Sequence, residues 1–293
     1  MVDRSIGRKI FSGLNGLLFI LFSLSCVIPM IHVFSISLSS SAAVTAGEVT
    51  LFPVDFSVKS YEYILQNSEF WHAMGISLER VGLGVAISML LTTLAAYPLS
   101  KGKTVFKHQP QFAWYFVLTM LFSGGLIPSF MIVKYTHLLD TIWALVIPGA
   151  ISVFNVLLLS NFFRNVPKEI EESAFMDGAG HFKTLFALYL PLSLPIIATL
   201  IVFSAVGHWN SWFDGLIYMN SQKNYPLQSY LQTILLESNT KVMTKEYAAL
   251  LAKVSDRTIK AAQVFIASIP ILLVYPFMQK YFISGMMIGA VKE

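Results

Sequence analysis

Charge is what this chain has least of. Of its 293 residues only 12% are Asp, Glu, Lys or Arg, against about 25% in a soluble domain. So sparse a set cannot cover a water-facing surface, which excludes an ordinary soluble protein. With 55% hydrophobic residues and a mean hydropathy of +0.66, the chain reads as an integral membrane protein whose excess apolar surface faces lipid. Cysteine is nearly absent: Cys26 stands alone inside an apolar run, so no intramolecular disulfide can form. The six histidines (His32, His72, His108, His137, His181 and His208) include no pair at metal-ligand spacing, and no metal site is expected. No Gly-x-Ser-x-Gly occurs. The string "GKT" at Gly102–Thr104 lacks the glycine that a phosphate loop needs five residues earlier, where Tyr97 stands. No catalytic residue and no cofactor of its own is therefore expected. The net charge of +4 comes without a long basic tract, so no nucleic-acid partner is expected either.

What is present is a series of long apolar runs. A membrane-spanning helix needs about 20 mostly apolar residues. Six stretches qualify: 12–37, 81–99, 112–133, 141–163, 189–211 and 262–283. The first is too long for the 7–15-residue apolar core of a cleaved signal peptide. The third holds Gly124, Gly125 and Pro128, and the fourth holds Pro148 and Gly149. Such breakers are tolerated in membranes where neighbouring helices or water satisfy the freed backbone groups. The cores of these six stretches contain no acid and no Lys or Arg, which disfavours a proton relay or ion pump. The fold class expected is all-α, a polytopic membrane protein of six spans forming one transmembrane domain over residues 1–293.

Lys and Arg set the expected orientation. Arg4, Arg8 and Lys9 precede the first span, Lys101, Lys103 and Lys107 follow the second, and Arg164, Lys168 and Lys183 follow the fourth. Both termini and loop 164–188 are thus expected in the cytoplasm. Loop 212–261 falls outside, with six Lys/Arg against four acids; its second half, "KEYAALLAKV", reads as helical. Residues 57–72 suggest a short amphipathic outer helix.

Loop 164–188 contains "EIEESAFMDGAG" at 169–180. Pro167 suits a helix start, Glu169, Glu171 and Glu172 suit the positive end of the helix dipole, and Gly178 can take the positive φ that ends a helix. A helix over 167–177 follows, about 16 Å long, with Ile170 and Ala174 on a small apolar face and the acids opposite. A helix lying on anionic lipid would be basic, so the acidic face points to a protein partner. A loop helix with no partner is the bland alternative.

Polar and aromatic residues mark two further places. Trp209, Asn210 and Trp212, at the end of the fifth span, suit stacking and hydrogen bonding to a sugar ring; they suit an interfacial aromatic belt equally well. Asn155 lies in the fourth span, where an amide facing lipid is costly; it fits a pore lining or a bond to another helix.

The loop carries a resemblance. Glu172-Ser173-Ala174, three residues, Gly178, nine residues, then Leu188-x-Leu190-Pro191 resembles the "EAA–G–I-LP" signature of ABC importer permeases. Ser173 replaces an alanine and Leu188 an isoleucine. "GHWNSWFD" at 207–214 and the ending "YPFMQKYFISGMMIGAVKE" resemble the carbohydrate (maltose-type) branch, and within it the subgroup that takes larger oligosaccharides, including acidic ones such as alginate. The resemblance covers essentially the whole chain.

It implies the type I importer permease fold (maltose/methionine permease-like) in a bacterial cytoplasmic (inner) membrane. The implied assembly includes a second, homologous permease subunit, two ATPase subunits that bind ATP and Mg, and an extracytoplasmic solute-binding protein, all within membrane lipid. Glu169, Glu172, Ser173, Ala174, Asp177, Gly178, Ala179, Leu190 and Pro191 would couple this chain to an ATPase. Asn155, Trp209, Asn210 and Trp212 would be the substrate or pore candidates. The implied function is inward sugar transport by alternating access. The alternative is a non-transporting membrane scaffold or sensor that binds a cytoplasmic partner through the same helix.

Overall fold

A computed structural model describes residues 6–237 and 255–290. Among them the regular structure is helical and no strand occurs. The expected helix over "KEYAALLAKV" lies outside the described residues. The chain falls into two compact units. The N-terminal segment through Phe70 joins 233–269, and 71–232 joins the segment from Pro270.

In the first unit, helix Ile6–Ser37 is apolar on every side and exposed over most of its length, Cys26 included. Its C-terminal turns are held by side chains. The Ser35 hydroxyl donates to the Leu51 carbonyl at 2.7 Å, and Ser37 pairs with the Tyr61 hydroxyl at 2.7 Å. Phe34 packs on Phe265 with ring centroids 4.4 Å apart. Helix Lys59–Gln66 stops at Asn67, whose side chain then accepts from the Glu69 and Phe70 amides. The sequence expectation of one amphipathic helix over 57–72 is therefore divided: an Asn cap starts a new helix inside it.

That new helix, Ser68–Ser100, belongs mostly to the second unit. It begins well before the expected apolar limit at 81, because hydropathy marks what a bilayer tolerates and not where the backbone starts to coil. Glu79 and Arg80 thus lie inside a helix. The third expected span is two helices, Gln109–Leu121 and Leu126–Tyr135, bent by 113°. The break ends at Gly125, whose φ of +85° with extended ψ is a conformation only glycine adopts readily. The fourth is also interrupted, into Ile142–Val146 and Val153–Arg164, with Pro148 and Gly149 in the gap. Ser152 restarts it by accepting from the Asn155 amide at 3.4 Å.

The fifth is preceded by helix His181–Thr184, a π turn over Leu185–Tyr189 and a short turn Leu190–Leu192. Helix Leu194–Asn210 follows after an 86° bend. Pro191 has no N–H to give, and the Leu190 amide reaches back five residues to the Leu185 carbonyl, which is how a π turn forms. Helix Asp256–Ala290 closes the described chain. Among the described residues three helices are long and apolar enough to cross a membrane, or up to five if each bent pair counts as one span.

The core of the second unit joins the ends of three of these helices. Ala96, Tyr97 and Leu99 pack with Val156, Leu159 and Phe163, and with Leu185, Tyr189, Ile196 and Leu200. At fully buried positions each such side chain contributes about 1.5–3 kcal/mol, so this cluster fixes where the loop between Arg164 and His181 is hung.

Candidate functional site

That loop folds as expected. Helix Lys168–Met176 starts after Pro167, has Glu169 and Glu171 in its first turn, and ends in a Schellman motif. Gly178 sits at φ +75°. Its amide donates to the Phe175 carbonyl at 3.0 Å, and the Ala179 amide donates to the Ala174 carbonyl at 2.9 Å. These two bonds define the motif. No side chain of the helix is fully buried. Glu169, Glu172, Ser173, Asp177 and Gly178 are exposed; Ala174, Ala179 and Leu190 are half-buried; Pro191 is exposed. Met176 is 88% exposed and Phe182, just beyond the loop, 72%. The Ser173 hydroxyl donates back to the Glu169 carbonyl at 2.8 Å, so Ser at this position spends its polarity inside the helix. Nothing within 4 Å would meet a Cβ at Gly178; the constraint there is the backbone angle.

The acids do not all share one outer face. Glu171 turns inward, and its side chain keeps only 15% exposure. Lys101 Nζ reaches its Oε1 at 2.6 Å, and the Tyr189 hydroxyl donates to its Oε2 at 2.8 Å. Lys101 also donates to that same Tyr189 oxygen at 2.8 Å. The ammonium lies 4.2 Å from the Tyr97 ring centroid and 4.1 Å from that of Tyr189, two rings set edge to face. His181 Nδ1 meets the Tyr97 hydroxyl at 3.3 Å. Burial holds the Lys101 ammonium below its ordinary pKa, against the opposing pull of the bond it donates to Glu171.

Arg164 adds a second cation at the same place, donating to the Leu99 carbonyl at 3.0 Å. It thereby caps one of the helix's last carbonyls. Sequence reasoning counted Lys101 and Arg164 only as loop charges and left Glu171, Tyr97, His181 and Tyr189 outside the site. The local signal was Tyr97, one helical turn before Lys101, and Tyr189 beside Leu190, but the pairing spans 70 residues.

A second polar cluster lies near the other end of Ser68–Ser100. Arg80, 3% exposed, grips Asp214 through both terminal guanidinium nitrogens and donates to the Ser211 carbonyl at 3.2 Å. Asp214 also accepts from the Ser211 hydroxyl and the Gly215 amide, both at 2.9 Å. A helical turn earlier in Leu194–Asn210 than this turn, the His208 ring lies against Gly84 so closely that a Cβ there would overlap it. The substrate candidates separate here. Trp209 is buried at 4% exposure, while Asn210 and Trp212 are exposed. Asn155 is buried at 5%, in the first turn of Val153–Arg164. Among the described residues no group of three His, Cys, Asp or Glu could hold a metal ion.

Comparison with known proteins bears on what such an arrangement serves. Residues 104–288 match the family described as "Binding-protein-dependent transport system inner membrane component". The chain is similar to the polygalacturonan/rhamnogalacturonan transport system permease protein YtcP of Bacillus subtilis (strain 168), with 39% identity covering 97% of this chain and 99% of that one. It is also similar to protein LplC of the same organism, with 38% identity over 91% and 89% of the two chains. Among solved structures it resembles a chain of a bacterial ABC transporter involved in the import of the acidic polysaccharide alginate. That match has a TM-score of 0.89 and 33% identity, and covers 96% of this chain and 100% of that one.

Proposed function

The chain belongs to the family of binding-protein-dependent transport system inner membrane components and is a permease of the ABC importer type, and from that premise we propose how its site works and what it carries. The cargo proposed is an oligosaccharide, of the acidic kind named for YtcP and for the alginate importer. Those names support transport; nothing observed favours the scaffold reading.

Helix Lys168–Met176 is the coupling helix, seated in a groove of an ATPase subunit. One observation carries this: a short, exposed, acidic helix closed by Gly178 at φ +75°, in the loop that bears the "ESA–G–L-LP" signature. Two ATPase subunits hold the ATP and Mg. A second, homologous permease completes the pore, and a solute-binding protein docks on the opposite face. The loop-helix side and both termini are cytoplasmic, and the lipid-facing surface includes the exposed helix Ile6–Ser37. ATP draws the ATPase pair together, the coupling helices follow, and the spans rock to open outward. The solute-loaded binding protein favours one of the two states, as it must to bias the cycle. Asn210 and Trp212, exposed beside the Arg80–Asp214 turn, are the candidate substrate contacts, with buried Trp209 behind them and Asn155 as a pore-lining candidate.

Gly178→Val tests the coupling assignment. A β-branched residue in the left-handed region is penalised by about 1–2 kcal/mol and thickens the surface entering the groove. The expected outcome is normal membrane insertion, loss of ATPase in pull-down from detergent extracts, and loss of uptake. Full ATPase retention with normal uptake would refute it.

A further inference from the structure

An ATPase that moves the coupling helix must also move the spans. By the backbone, the coupling helix adjoins Val153–Arg164 on one side and His181–Thr184 on the other. The chain does not join it to Ser68–Ser100, whose last residue precedes it by some 70 positions. We propose that Glu171 and Lys101, held by Tyr97 and Tyr189, form the direct tie from the coupling helix itself through which its displacement reaches the Ser68–Ser100 helix, beside the Arg164–Leu99 bond and the shared core of its flanking elements. This makes them positioning residues for transport, and it rests on the coupling reading above.

Three observations support a tie in preference to ordinary packing. Glu171 is the inward-turned acid of the coupling helix, and both of its oxygens are engaged from other elements: Oε1 by Lys101 at 2.6 Å and Oε2 by Tyr189 at 2.8 Å. The ammonium is enclosed between two aromatic rings, and such faces attract a cation most strongly when water is excluded. It therefore cannot swing away without losing both the carboxylate and the rings.

A buried ion pair is also poorly explained by stability alone. Well-packed apolar residues of similar volume often do as well or better, whereas a paired charge specifies one register. Lys101 is 8% exposed and Glu171 15%, deep enough for that argument to apply. Lys101, Tyr97 and His181 themselves border a cavity of about 310 Å³, which continues along Leu94, Pro98 and Phe182.

The test uses the complete transporter purified with its own partners, in a Cys26→Ala background, with spin labels on cysteines at Leu78 and Leu118. Both positions are exposed, and they lie on Ser68–Ser100 and Gln109–Leu121. A non-hydrolysable ATP analogue with magnesium is the probe, and the inter-label distance is the readout. In the otherwise unaltered chain the analogue is expected to shift this distance. In Glu171→Gln and in Lys101→Met the shift is expected to be lost while the ATPase still co-purifies.

An undiminished shift in Glu171→Gln would overturn the proposal. So would loss of the ATPase in Glu171→Gln, since Glu171 would then belong to the docking face. If the unaltered chain retained no ATPase at all, the coupling reading itself would fail. That result is separate from the others because it precedes any substitution.

Discussion

Helix Ser68–Ser100 carries Arg80 about a third of the way along and Lys101 just past its end, and each cation meets an acid from far along the chain. At 1.5 Å per residue the two are about 30 Å apart, close to the thickness of a bilayer's hydrocarbon core. Their construction differs. Arg80 sets a planar fork against one turn: Asp214 and the Ser211 carbonyl both belong to residues 211–214, and the Ser211 hydroxyl donates to Asp214 within it. Lys101 instead places a point charge among Glu171, Tyr189 and Tyr97, which come from three separate elements. A guanidinium fork suits a geometry that must stay fixed, and an ammonium on a flexible stem suits a joint whose parts shift. The first therefore reads as a latch that shapes the 211–214 turn, and the second as a linkage.

The comparison can be broken most forcefully at the latch. Asp214→Ala leaves a buried guanidinium without its acid and is expected to cost about 3–5 kcal/mol, read as a large fall in thermal unfolding temperature in detergent. Arg80→Met removes the buried charge and leaves Asp214, 24% exposed, in reach of water, so it should cost distinctly less. The reverse order would show that burial of Arg80 is not what sets the latch.

Next in size is Gly84→Ala, which forces a methyl onto the His208 ring. About 1–3 kcal/mol is expected for such overpacking. Thermal unfolding of G84A with and without His208→Ala should be non-additive, as contacting sites are; simple additivity would separate Gly84 from His208. At the linkage, Tyr189→Phe keeps both rings around Lys101 and removes one hydroxyl. A loss of about 1 kcal/mol is expected, well below that of Asp214→Ala. A loss as large as the latch's would erase the distinction drawn between them.

The smallest effect concerns Asp140, outside both clusters. Bonds from the Asn224 amide, then from the Ser221 and Asn220 backbone, hold its carboxyl below the usual carboxylate range. A depressed folded pKa stabilises above the ordinary unfolded value of about 3.9, and that contribution is lost as pH falls through the folded value. Unfolding temperatures of Asp140→Asn and the unaltered protein should therefore differ by a constant small amount above pH 5 and converge in stronger acid.

The sequence made legible what local chemistry decides. Pro167, the early glutamates and Gly178 placed the Lys168–Met176 helix within a residue at either end, because caps and left-handed turns are set by neighbours. The apolar runs marked membrane-compatible segments for the same reason. What stayed hidden depends on distance along the chain. Arg80 and Asp214 are 134 positions apart and Lys101 and Glu171 are 70 apart, and neither pair has a periodicity to betray it. The 113° bend after Leu121 was likewise beyond reach: Gly124, Gly125 and Pro128 showed that the helix could break, while its direction is set by what packs around it.

The π turn at Leu185–Tyr189 has a consequence of phase. A π turn is an α-helix holding one surplus residue, so removing a single residue there would let ordinary coiling resume. Every side chain on one side of the deletion would then be rotated by about 100° relative to the other, given 3.6 residues per turn. Tyr189 would leave the carboxylate it now serves, although no contact residue had been substituted. The surplus residue thus acts as a timing mark: it decides at which angle the Leu194–Asn210 helix is presented to the loop that carries Lys168–Met176. A family could alter that angle by gaining or losing one residue, with its chemistry left untouched.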